Sequence, residues 1–233
     1  MLIAGFQKMT LIDYPGKIAT TVFTVGCNFR CPFCHNPETV IPSPESLRSF
    51  VGREGEFFAF LAKRKGMLDG VCITGGEPTV QRDIMPFIRR IKKMGFLVKL
   101  DSNGTNPEIL EKIFHEGLAD FVAMDIKNNP DRYSETAGVP VDTDRIAKSV
   151  RLVMESGIDY EFRTTVVPGI HTEEDFDGIA ALIRGARAYY LQEYRDAIIL
   201  DPTLKERMKG KTIDLDKIAE RMKKSVKHVG IRR

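Results

Sequence analysis

Two hydrophobic rhythms alternate along the chain. Short apolar runs rich in β-branched residues recur at residues 18–24, 70–74, 96–100, 121–124, 160–167 and 188–192. Between them, apolar residues fall at helical spacing, as in Ile84, Phe87, Ile88 and Ile91, or Ile146, Val150 and Val153. Near-continuous runs predict strands buried on both faces of a parallel sheet, and the intervening periodicity predicts the helices that cross between them. Six such strand-helix units in order predict the α/β class, as an open, partial (β/α)6 barrel forming a single domain over residues 1–233, with a core at about 17–195.

Local signals refine this picture. Tyr14-Pro15-Gly16 is a turn, and Ser43 before Pro44 is an N-cap followed by a first-turn proline. Phe50, Phe57, Phe58, Phe60 and Leu61 read as the core face of the next helix, interrupted by Gly52 and Gly55. Cys72, inside an apolar run, reads as core. The helix of 142–156 closes at Gly157, and a later one opens at His171 and Thr172, with His171 expected on the surface. Residues 196–233 are expected to form a helical, basic tail through Ile218, Met222 and Val226. Its charges read as a solvated face, with docking to an acidic partner patch as the alternative.

Several runs end in polar stretches: Gly75-Gly76-Glu77-Pro78, Asp101-Ser102-Asn103-Gly104 and Asp125-Ile126-Lys127. These ends share one side of the expected sheet, where ligands of parallel α/β proteins sit. Paired glycines there would let the backbone approach a ligand and leave peptide groups to bond it. Arg163 lies inside an apolar strand and needs a partner.

Composition excludes more than it selects. At 42% hydrophobic and 29% charged, the chain is an ordinary globular one, and a net charge of +3 is too slight to argue for nucleic acid. No apolar run approaches the roughly 20 residues of a spanning helix, and the first residues are too short for a signal sequence, so a cytoplasmic protein with no membrane association is expected.

Three of the four cysteines stand together as Cys27-Asn28-Phe29-Arg30-Cys31-Pro32-Phe33-Cys34. Three soft ligands on one loop suit a cubane iron-sulfur cluster with one iron left open. Zinc uses the same residue types but wants four protein ligands, and a disulfide scaffold suits neither the length nor the expected compartment. The spacing C-x-x-x-C-x-aromatic-C resembles the signature of radical S-adenosylmethionine (SAM) enzymes, and Cys34-His35-Asn36-Pro37 resembles the group that activates glycyl-radical enzymes. Gly75-Gly76-Glu77-Pro78, about 40 residues on, is similar to that family's element for the SAM amino group.

The resemblance implies a radical SAM barrel in which Cys27, Cys31 and Cys34 hold a 4Fe-4S cluster and the open iron takes SAM. Reductive cleavage would then give an adenosyl radical that removes a hydrogen atom from a glycine of a partner enzyme, with no acid or base among the catalytic residues. By likeness the partner is anaerobic ribonucleotide reductase, and flavodoxin or ferredoxin is the electron donor. The resemblance further implies SAM contacts from Phe33, Gly75, Gly76, Glu77, Ser102, Asn103, Lys127 and Arg163. It also implies a monovalent cation on Asp101 and Asp125, although both could instead be helix N-caps with Lys127 as a surface partner. Asp13 resembles the aspartate that holds the partner's peptide, or else caps its own turn. Gln192 or Tyr194 would lie near the adenosine, and His35 and Asn36 would order the cluster loop. Two alternatives remain: a radical SAM enzyme acting on a small molecule, such as a 7-carboxy-7-deazaguanine synthase, or a non-catalytic iron-sulfur electron carrier.

Overall fold

The computed structural model describes residues 1–195 and 198–233, so the first two residues of the expected tail, 196 and 197, lie outside the described residues. The chain packs as two compact units. The first comprises residues 1–28, 36–102 and 108–122. Strand β1 (Ile3–Thr10) runs antiparallel to β2 (Ala19–Thr24), with Thr10 opposite Ala19. Sequence periodicity did not announce β1, because its middle is exposed and polar at Gln7 and Lys8.

Helices α1 (Pro37–Val40), α2 (Pro44–Phe50) and α3 (Arg53–Ala62) follow. Ser43 caps α2 by accepting the Ser46 amide at 3.0 Å, and Gly52, at φ 86°, turns the chain into α3. These helices make the first parallel crossover, from β2 to β3 (Gly70–Gly75), and helix α4 (Ile84–Lys93) makes the second, from β3 to β4 (Leu97–Ser102), with β2, β3 and β4 in register. The expected aromatic core is present: Phe57 stacks on Phe87 at 5.8 Å, with Phe6 at 5.4 Å on its other side. Helix α5 (Pro107–His115) leads to β5 (Phe121–Asp125).

The second unit comprises residues 29–35, 103–107 and 123–233. It holds α6 (Tyr133–Ala137), α7 (Thr143–Glu155), β6 (Asp159–Val166), α8 (Asp175–Leu182), β7 (Ala188–Glu193), α9 (Leu204–Met208), α10 (Leu215–Met222) and β8 (His228–Arg232). Strands β6, β7 and β8 are parallel neighbours. The eight strands are hydrogen-bonded in chain order in one open, mostly parallel sheet. Among the described residues, no helix is long and apolar enough to cross a membrane.

Two expectations need correction here. The helix expected to open at His171 begins at Asp175, because the Thr172 amide donates to the Asp175 carboxylate at 2.8 Å and holds the preceding residues in a turn. The tail is not helical to its end: after α10 the chain returns as β8 and extends the sheet. Several of its basic residues are matched within the unit. Arg232 reaches both carboxylate oxygens of Glu161 at 2.7 and 2.6 Å and lies 3.8 Å over the Tyr190 ring. Arg221 and Arg233 pair with Asp177 and Asp216 at 3.3 and 2.6 Å.

Glu161 is only 3% exposed, so its charge depends on that fork. Arg232→Ala should therefore destabilise the protein by about 2 kcal/mol in urea unfolding, with Arg232→Lys recovering part of the loss.

Candidate functional site

In the first unit, the end of β3 is shaped by backbone contact. A Cβ on Gly76 would stand 2.0 Å from the Gly26 carbonyl oxygen, and Gly75, at φ 108°, is as tightly set against Thr24. The Gly76 amide donates to the Thr24 carbonyl and the Glu77 amide to the Gly26 carbonyl, both at 2.9 Å. Those two amides are therefore spent within the chain. They fasten the turn to Thr24, the last residue of β2, and to Gly26, one residue before Cys27. Glu77 is 1% exposed, and one of its oxygens accepts the Thr79 amide and hydroxyl at 3.0 and 2.6 Å and the Ser102 hydroxyl at 2.9 Å.

Asp101 ends β4 and is not a helix cap. Its counter-ion is Lys99, 1% exposed on the same strand face, whose ammonium binds the Asp101 carboxylate and lies 3.6 Å from the Cys72 sulfur. Asp13 is tied to β2 by the Thr21 hydroxyl at 2.5 Å. Thr10, not Asp13, caps that turn, accepting the Ile12 and Asp13 amides at 3.3 and 3.2 Å. The neighbouring Tyr14 packs on Gly70 and stands 6.0 Å from Phe121, at the amino ends of β3 and β5.

In the second unit, Asp125 ends β5 and is likewise no helix cap. Its two oxygens take different cations: Arg163 from β6 at 2.9 Å and Lys127 at 3.0 Å. Burial pushes the Asp125 carboxyl up, but Arg163 and Lys127 outweigh it and hold it well below the usual carboxylate range. Burial pulls the Lys127 ammonium down, and Asp125 and Cys31 more than restore it. Arg163 thus has the partner that its apolar strand required. Asn103 accepts the Thr105 amide and hydroxyl at 3.1 and 2.7 Å, which shapes the turn after β4.

The loop carrying Cys31 and Cys34 is gripped along its backbone. The Arg30 amide donates to the Ala137 carbonyl at 2.8 Å, and the Leu200 and Asp201 amides donate to the carbonyls of Cys34 and Pro32 at 3.2 and 3.0 Å. Gly138, at φ 71°, admits this approach, since a Cβ there would meet the Arg30 oxygen at 2.3 Å. Tyr194 lies against the His35 ring at 5.6 Å, beside the loop.

The four cysteines are thiols rather than disulfides. Among the described residues, no three His, Cys, Asp or Glu side chains already stand as an ion site. The donor chemistry nonetheless fits an iron-sulfur cluster. Burial pushes the Cys31 thiol up to about 11, with Lys127 pulling the other way, so this sulfur keeps its proton until a metal replaces it.

Polar carboxyl ends of parallel strands, with paired glycines and a buried glutamate in the first unit and with a basic pair and a cysteine loop in the second, are the marks of a cofactor-binding α/β protein. A sequence model of the radical SAM superfamily matches residues 21–183. A protein of Methanocaldococcus jannaschii, whose name assigns it provisionally to the glycyl-radical enzyme activating enzymes, is 32% identical over 236 residues, covering 99% of this chain and 95% of its own. The pyruvate formate-lyase-activating enzyme of Streptococcus mutans is 31% identical over 188 residues, covering 76% of this chain and 68% of its own. Among solved structures, Streptococcus suis SuiB bound to S-adenosylmethionine superposes with a TM-score of 0.62 at 18% identity, over 90% of this chain and 49% of that one. This chain therefore spans about half the length of SuiB, and that likeness bears on the fold alone. The chain belongs to the radical SAM superfamily and, within it, to the glycyl-radical enzyme activating enzymes. It is a radical SAM enzyme of the oxidoreductase type, and the family's cofactors are a 4Fe-4S cluster and SAM.

Two functional candidates escaped the sequence reading. Lys99 had a readable signal, a charge inside an apolar strand with an acid two residues on. His171 had none: expected on the surface, it is 4% exposed. Its Nδ1 accepts the Val167 amide at 3.0 Å and its Nε2 meets the Lys127 carbonyl at 2.8 Å.

Burial holds the His171 imidazole below its ordinary value of 6.5, against the pull of the Lys127 carbonyl. The unfolded chain therefore binds the proton first, and stability is full above pH 6.5 and falls as pH drops toward the depressed folded-state value. Melting temperature should decline more steeply between pH 6.5 and about 5 in the native protein than in His171→Gln.

Proposed function

We propose that the protein cleaves SAM reductively at a 4Fe-4S cluster held by Cys27, Cys31 and Cys34, and generates a glycyl radical on anaerobic ribonucleotide reductase, with flavodoxin or ferredoxin as electron donor. The observation that carries the SAM reading is a convergence of cations. Lys127 and Arg163 meet on the Asp125 carboxylate at 3.0 and 2.9 Å, at the end of β5. Lys127 acts electrostatically on Cys31, and two cationic donors fixed beside a cysteine loop suit an anionic group such as a carboxylate.

When bound, the cofactors supply one-electron cleavage of a sulfonium and removal of a hydrogen atom from a glycine. The chain's own residues bind and orient. Lys127 and Arg163 would take the SAM carboxylate, the carboxyl end of β3 at Gly75, Gly76 and Glu77 would take its amino group, and Ser102, Asn103 and Phe33 would line the remainder. The buried Glu77 supports this as a fixed acceptor, and its hydrogen bond from Ser102 ties two of these positions together. Asp101 and Asp125 are assigned a monovalent cation in this reading, although each already binds a lysine ammonium. Asp13 is assigned the partner's peptide. None of these groups needs to move a proton; holding the reacting atoms close and excluding water is the protein's task.

Anaerobic reconstitution with iron and sulfide, reduction, and assay for 5'-deoxyadenosine tests the SAM chemistry. Addition of candidate partners, with electron paramagnetic resonance for the glycyl doublet, tests the partner. Failure of the doublet with the reductase but turnover on a small molecule would replace the partner assignment. Cys31→Ala should abolish both cluster assembly and SAM cleavage while its far-ultraviolet circular dichroism stays native; normal cleavage by that variant would refute the cluster assignment.

A further inference from the structure

Four backbone and side-chain contacts converge on one buried ring in the second unit. His171 follows the Pro168-Gly169 turn after β6, and both of its ring nitrogens are spent on backbone. An amide can only donate and a carbonyl can only accept, so Nδ1, facing the Val167 amide, is bare and Nε2, facing the Lys127 carbonyl, carries the proton. One neutral tautomer satisfies both. The ring also stands edge-on to Phe33, in the cysteine loop, at 6.4 Å, and lies 6.1 Å from Phe176 of α8. The charged groups nearby are Asp175 and Arg132, which pair with each other at 2.6 Å.

The backbone around Lys127 shows why this matters. The Ile126 amide donates to the Arg163 carbonyl at 2.8 Å, and the Ile126 carbonyl accepts the Thr164 hydroxyl at 2.7 Å. Residue 126 is therefore locked to β6. The next carbonyl, that of Lys127, is fixed by His171. With both peptides flanking its Cα held, the Lys127 side chain leaves the backbone in one direction, toward Asp125.

We propose that His171 is a positioning residue for SAM binding: its neutral imidazole fixes the peptide from which Lys127 projects. This rests on the reading of Lys127 as a SAM contact. His171 acts on SAM through Lys127 and not by direct contact.

The test uses cluster-loaded protein prepared anaerobically, with SAM affinity by equilibrium dialysis, the SAM-induced change in the electron paramagnetic resonance line shape of the reduced cluster, iron content and melting temperature. His171→Ala should weaken SAM binding by about tenfold and alter that line shape at unchanged iron content. His171→Gln, whose carboxamide also offers one acceptor and one donor, should recover affinity to within about threefold of native. Adding His171→Ala to Lys127→Met should weaken binding no further than Lys127→Met alone, as expected when one residue acts through the other. Native affinity in His171→Ala, a glutamine variant as weak as alanine, or losses that multiply in the double variant would each overturn the proposal. If Lys127→Met binds SAM normally, the reading of Lys127 fails and the proposal with it; if only Lys127→Met is weak, His171 alone is refuted. Should the alanine variant not fold, glutamine is compared with asparagine, which is too short to reach both backbone groups, and equal affinities overturn the proposal.

Discussion

Asp125 holds two cations at once, and much of the second unit is arranged to make that possible. A carboxylate, a lysine and an arginine drawn together out of bulk water carry a desolvation cost that only close pairing offsets. The surrounding structure accepts that cost by fixing every participant. Arg163 comes from the middle of β6, Lys127 from the coil after β5, and Tyr133 places its hydroxyl 3.4 Å from the Asp125 carbonyl. Few ordinary surface ion pairs are braced in this way.

The first unit solves a different problem, that of ending a parallel strand beside a cysteine. Gly76 lies on the Gly26 peptide so closely that no side chain fits, and the amides of Gly76 and Glu77 complete the hydrogen bonding of the β2 end. The paired glycines thus act first on the backbone of Gly26 and only through it on Cys27. Buried Glu77, held by Thr79 and by Ser102 of β4, and buried Lys99, held by Asp101 of its own strand and Cys72 of β3, carry the polar character of these strand ends into the core. Polar groups in such positions are tolerated only when paired, and here the pairing also sets their direction.

Much of the architecture was legible because it depends on local chemistry. The apolar runs of β3 and β4, the spacing of Ile84, Phe87, Ile88 and Ile91 in α4, and the Ser43-Pro44 start of α2 are written in periods of two and 3.6 and in capping preferences. Strand β1 was not legible, since an edge strand with an exposed polar middle lacks the alternation of a buried one. Nor was β8: none of residues 228–232 is buried, and what holds them is the ladder to β7 together with the pairing of Arg232 with Glu161, 71 positions away in the chain.

The same division runs through the site. The sequence by itself determined the residue types and their spacing: three thiols on one loop, glycines and a glutamate at one strand end, and acids followed at short range by a lysine. These suffice for a chemical class because ligand chemistry is local to a motif. Which acid answers which cation was settled only by tertiary structure. Asp101 takes the lysine before it and Asp125 the one after it, and His171 turns from a surface residue into a buried link between Lys127 and Phe33. Such pairings depend on strand register and on which loops meet at a strand end, and a linear pattern holds no record of either.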